Sequence, residues 1–127
     1  MKITKINTKQ ANELKQPFLT SADKKRLGVT GYKNISVFGW YFQKETEKAI
    51  LFTGIQDIGD YYNRSKEEVK LWLPKSQLLV FEYIDDELIF DGYTTEEAKT
   101  KIFFVKTWLY NKKRNDIELT HFKNSAL

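Results

Sequence analysis

The chain has 127 residues, of which 41% are hydrophobic and 15% aromatic, and a net charge of +4. That is the size of a single domain spanning 1–127, with enough apolar material for a packed core, so wholesale disorder is excluded. The absence of cysteine excludes disulfides, thiolate nucleophiles and cysteine-based zinc sites, and fits a cytoplasmic protein.

Taken in chain order, the N-terminus has no apolar run of signal-peptide length, and no stretch of eighteen apolar residues marks a membrane span. Residues 2–6 (KITKI) read as a short strand. Thr8 is placed to cap a helix that carries Ala11 and Leu14 on one side and stops before Pro17. Ser21 is placed to cap a second short helix that Gly28 ends. Two strands are predicted next, 34–42 (NISVFGWYF) and 48–55 (KAILFTGI), joined by the polar QKETE. DIGDYYNR reads as a loop. Ser65 and Glu68 have capping-box spacing, which predicts a helix over 66–73 ended by Pro74.

The segment 77–93 (QLLVFEYIDDELIFDGY) has the pattern of a hairpin with its turn at Asp85-Asp86, pairing Tyr83 with Leu88 and Phe81 with Phe90. A second capping box, Thr94 and Glu97, precedes a predicted helix over about 95–111, with Ala98, Ile102, Val105 and Leu109 as one apolar stripe. NDIELTHF reads as a last strand. Hairpins dominate this order, and no regular alternation of strand and helix appears. The expected fold class is therefore α+β: a mostly antiparallel sheet of about five strands built from two hairpins, with helices packed mainly on one face.

The 34–42 run raises the main functional question. Phe38, Trp40 and Phe42 would share one face of a strand, and Ile35, Val37 and Tyr41 the other. A face this apolar is either core or a platform for a ligand. The core reading is preferred for the first set, because the basic-aromatic motifs of RNA-recognition sheets are missing. A strand apolar on both faces still needs two covers, and the surplus points to a protein-binding surface or a homodimer.

Signals for covalent chemistry are weak. His121 is the sole histidine, so a histidine zinc site is excluded, and its place beside Ile117 and Leu119 in a predicted strand reads as structural. Asp57 and Asp60 sit in a predicted loop, and Asp85, Asp86 and Glu87 at a predicted tip. Consecutive acids at a turn diverge rather than converge on a metal or a substrate. Gly28 and Gly31 form a GxxG beside Lys24, Lys25 and Arg26, which resembles the backbone-clamping loop of KH domains over about ten residues. An aromatic strand follows here where KH domains have a helix, so the glycines read as a helix stop and a turn.

Charge is unevenly laid out. Residues 1–33 carry net +6, 34–77 are neutral, 78–98 carry net −7 and 99–127 carry net +5. The acidic stretch suits a basic protein partner such as a nuclease, whereas the basic clusters could touch phosphate.

The leading expectation is a non-enzymatic protein-binding module without a cofactor: an inhibitor or immunity-type protein, in the style of toxin neutralisers and phage-encoded inhibitors. Its partner contacts would be Glu82, Asp85, Asp86, Glu87, Asp91, Tyr61, Tyr62 and Tyr93. The alternative is nucleic-acid binding, with Lys24, Lys25, Arg26, Lys112, Lys113 and Arg114 as phosphate contacts.

Overall fold

A computed structural model of the chain describes residues 2–16, 18–59, 62–84 and 99–119. The elements run β1 (Lys2–Ile6), α1 (Thr8–Leu14), α2 (Ser21–Leu27), β2 (Tyr32–Asn34), a 3-10 turn (Ser36–Phe38), β3 (Tyr41–Glu45), β4 (Ala49–Gly59), β5 (Arg64–Pro74), a second 3-10 turn (Lys75–Gln77), β6 (Leu78–Ile84), β7 (Lys99–Lys106), α3 (Thr107–Lys112) and α4 (Arg114–Ile117).

The class is α+β and mostly antiparallel, but the strands form two sheets rather than one. The first has the order β1-β6-β7-β2 and the second β3-β4-β5. Among the described residues only β1 and β6 run parallel; the other pairings are antiparallel.

β6 and β7 lie at the centre of the first sheet, and alternate residues leave toward opposite faces. Phe81, Tyr83, Ile102 and Phe104 meet Ala11 and Leu14 of α1, together with Val29 and Leu27. Leu78, Val80, Phe103 and Val105 point the other way, into a core shared with Ile50, Phe52, Leu71 and Leu73 of the second sheet. Phe52 meets Phe103 edge-on, their ring centres 4.9 Å apart, and such pairs add stabilisation beyond their area. Leu109 and Tyr110 of α3 and Ile117 of α4 close one side of this core. Helices therefore cover one face of the first sheet and also pack beside the shared core, rather than lining a single face.

Local signals set the early elements. Asn7, not Thr8, caps α1: its Oδ1 accepts the Gln10 N–H at 2.8 Å, while Gln10 Oε1 accepts the Asn7 N–H at 3.0 Å. This is the reciprocal capping box. Thr20, one residue before Ser21, caps α2 by accepting the Asp23 N–H at 3.1 Å. Gly28 ends α2 in the left-handed region, φ 75°.

Further expectations fail. Residues 66–73 are not a helix but most of β5. Val69, Leu71 and Leu73 face the core while Lys66, Glu68, Lys70 and Trp72 face outward, a period of two that prevails over the capping-box pattern. Residues 99–106 are not helical either. Ile102-Phe103-Phe104-Val105 is a strand buried on both faces, and the helix starts only at Thr107. The antiparallel partner of β6 is β7, with Tyr83 opposite Thr100 and Phe81 opposite Ile102. The turn placed at Asp85-Asp86 lies outside the described residues. The expected last strand begins as α4, and His121 also lies outside the described residues.

Nor is the aromatic run 34–42 one strand. β2 stops at Asn34, the chain makes a 3-10 turn, and Gly39 at φ 83° redirects it into β3. A residue with a side chain is strained there, so the position suits glycine. Trp40 is consequently buried, its Nε1–H donating to the Ile117 carbonyl at 2.8 Å, whereas Val37, Tyr41 and Phe42 come to the surface.

Candidate functional site

β7 is paired on one side by β6 from Lys99 to Val105 but on the other by only three residues of β2. The reason is local. Asn34 Oδ1 accepts the Ser36 N–H at 2.8 Å and turns the chain off the sheet. Ser36 Oγ then takes the Phe103 N–H at 2.9 Å, and the Ile35 N–H bonds the Phe103 carbonyl at 3.0 Å. Phe103 therefore directs its peptide groups away from β6. By the two-residue alternation of an antiparallel strand, Lys101 does the same. Beyond Ser36 no strand of the described residues meets it.

This edge forms one wall of a groove of about 790 Å³, with Val37, Tyr41 and Phe42 opposite and Lys15, the residue that follows α1, at its end. Val37 is 44% exposed, Tyr41 67% and Phe42 41%. Phe42 is held in place by stacking parallel to Phe103 at 6.3 Å, and the Lys101 ammonium sits 5.1 Å from its ring centre. Lys15 donates to the Tyr83 hydroxyl and also approaches that ring. Lys15 and Lys101 are the charged residues of the lining; among the described residues no acid joins them.

A second cavity, about 490 Å³, lies where α2, β2 and α3 meet. Lys24, Lys33 and Arg114 reach it, and so do Phe18, Tyr32 and Phe38. Phe18 is 92% exposed. Arg114 Nε is bonded to Glu118 at 3.0 Å, and the Tyr110 hydroxyl donates to the same carboxylate. These two donors, the tyrosine first, hold the Glu118 carboxyl below its usual range. Burial and then the Glu118 bond push the Tyr110 phenol up to about 12. With Glu118 already engaged, Lys24 and Lys33 dominate the charge of this cavity.

The residues singled out from sequence divide as follows. Lys24 and Arg114, from separate basic clusters, converge on the second cavity. Arg26 does not: Glu13 at 3.1 Å and Asp23 at 3.4 Å hold its guanidinium. Lys25 and Lys112 are exposed on the surface, and Lys113 donates to the Trp72 carbonyl at 3.4 Å. Glu82 lies on β6 opposite Lys101, and Tyr62 is exposed at the end of the β4–β5 hairpin. Tyr61, Asp85, Asp86, Glu87, Asp91 and Tyr93 lie outside the described residues. Asp57, read as a loop acid, sits in β4 opposite Lys66; Asp60 is outside the described residues. Among the described residues there is no cluster of three potential metal ligands, and no helix is long and apolar enough to cross a membrane.

The groove beside β7 was missed because its walls come from residues 37, 41–42 and 100–103, far apart in sequence. The exposed aromatics of the 34–42 run were the one signal that pointed to it. No protein-family model, curated protein or solved structure matches this chain.

Proposed function

We propose that the chain is a small protein-binding module, an inhibitor or immunity-type protein that acts by occupying a partner's surface. The observation that carries this reading is the groove beside β7, where Val37, Tyr41 and Phe42 are exposed together next to a strand edge that no strand of the described residues pairs. Apolar side chains gathered in a concave site with few polar groups are the usual centre of a protein contact. Tyrosine and phenylalanine contribute large area at low cost in side-chain entropy, which suits Tyr41 and Phe42 as anchors. Tyr62 would be a second contact at the far end of the β4–β5 hairpin.

The test is affinity capture from the source cell with the native chain and with Val37→Asp, both with and without nuclease treatment. The reading expects a protein that the native chain retains, that nuclease does not release, and that the variant loses. Capture by both chains alike, or retention of nucleic acid alone, contradicts it.

A second reading has its own observation. The meeting of Lys24, Lys33 and Arg114 with Phe18, Tyr32 and Phe38 around one cavity is a combination that binds single-stranded nucleic acid, by neutralising phosphate and stacking bases. Titration of a fluorescent single-stranded oligothymidine at rising salt tests it. A steep salt dependence that flattens in Lys24→Glu supports this reading, and no binding at low salt removes it.

A further inference from the structure

We propose that the open edge of β7 at Lys101 binds an extended acidic segment of the partner protein as an added strand, the segment's apolar side chains seating over Val37, Tyr41 and Phe42. The inference rests on the protein-binding reading above and names its mode and its chemistry.

Backbone geometry is the first support. Ser36 takes the last N–H on the β2 side, that of Phe103. Two residues earlier the alternation turns the Lys101 N–H and C=O toward the groove, where no strand of the described residues meets them, and an edge pair of this kind is a template for another extended chain. Side-chain placement is the second. An added strand presents every other side chain to one face, and the apolar wall formed by Val37, Tyr41 and Phe42 lies beside the edge where those side chains would fall.

Charge identifies the occupant. Lysines on an edge strand ordinarily discourage indiscriminate pairing, and here Lys15 and Lys101 flank the groove with no acid among the described lining residues. Lys15 already meets Tyr83, and Lys101 lies over Phe42 with Glu82 opposite it and its charge felt at Glu45, so acidic residues on the incoming segment would add to these contacts. A second copy of this chain is a poorer occupant, because β7 itself reads KTKIFFVK and self-pairing at this end sets lysine against lysine.

The experiment is selection of a displayed random peptide library against the full chain, followed by synthesis of the winners. Expected winners alternate apolar residues with Asp or Glu, and bind one to one. Their affinity falls about tenfold or more with Val37→Asp and several-fold with Lys101→Gln. N-methylation of their backbone abolishes binding at every second residue only, because strand pairing uses alternate N–H groups. The unfolding midpoint of Val37→Asp is checked, and Tyr41→Ala repeats the test if that variant folds poorly.

Winners that tolerate N-methylation throughout, that are basic, or that ignore both groove variants overturn the proposal. So does a concentration-dependent dimer that protects the Lys101 amide, which would make a second copy the occupant. If no peptide binds but affinity capture still finds a protein lost by Val37→Asp, strand addition falls and the protein-binding reading stands. If the captured protein is indifferent to Val37→Asp, both fall.

Discussion

β6 and β7 are apolar on both faces, and both faces are covered, one by α1 and α2 and the other by the second sheet. β4 and β5 are apolar mainly on the inner face. Opposite it, Thr53 pairs with Lys70, Ile55 with Glu68 and Asp57 with Lys66, and Trp72 is 43% exposed beneath Lys44. The first sheet is thus a central layer, and its weak point is an edge. The second is an outer layer, and its outward face is solvated apart from Leu51, which is buried opposite Trp72. The exposed side chains Val37, Tyr41 and Phe42 sit where, among the described residues, the central layer runs out of strands.

The comparison breaks most readily at the large core rings. Phe103→Ala and Phe104→Ala remove rings from opposite faces of one strand, and each is expected to cost about 3–5 kcal/mol in urea unfolding. In the second sheet Phe52→Ala, on the inner face, costs a similar amount, whereas Trp72→Ala, on the outer face, costs about 1 kcal/mol. Equal losses at Phe52 and Trp72 would mean that the outer face is covered after all.

Gly54 is the next point of strain. A Cβ there would lie 2.7 Å from Leu119 Cδ1 and 3.2 Å from the Trp40 ring. Gly54→Ala is therefore expected to cost about 1–3 kcal/mol by overpacking, read as a lowered thermal midpoint.

Tyr110→Phe has a smaller effect, about 1 kcal/mol at neutral pH through loss of the Glu118 bond. It also has a signature in pH. The Tyr110 phenol is pushed from its ordinary value of 10.0 up to about 12, so the folded state favours its neutral form. That contribution is whole below pH 10 and is lost as pH rises through about 12, when the unfolded chain ionises first. The native chain should lose stability on this alkaline limb, and Tyr110→Phe should flatten it. The Glu118 carboxyl, held low, works in the opposite direction: its contribution is present above the usual carboxylate range and fades as pH falls through its lowered value. Smallest of all, Lys101→Gln should change stability by less than about 0.5 kcal/mol, which separates its effect on binding from any effect on folding.

The short local elements were legible in the sequence. β1 and both N-terminal helices follow from turn, cap and glycine signals that need no tertiary context. The strand character of 49–55 and 78–84 follows from composition. Two elements were misread, for different reasons. In β7, apolar residues spaced to suit a helix also suit a strand when both faces are buried. Ile102, Phe103, Phe104 and Val105 are four apolar residues in a row, enriched in β-branched and aromatic types. That composition was better evidence than the Ala98–Ile102–Val105–Leu109 spacing. In β5 the alternation of Val69, Leu71 and Leu73 was visible, but Trp72 blurred it and Pro74 looked like a helix stop. The convergence of Lys24 with Arg114, and of Val37 with Lys101, is set by sheet order, which no local pattern encodes.

The central claim is that β7 has one closed half and one open half. Amide hydrogen exchange of Lys101 and Phe103 in the dilute free chain measures it directly. Phe103, bonded to Ser36 Oγ, should exchange slowly and Lys101 faster by at least about tenfold, as expected for an edge amide open to water. Equal, strong protection at both positions would show that the edge is already occupied and would contradict the account.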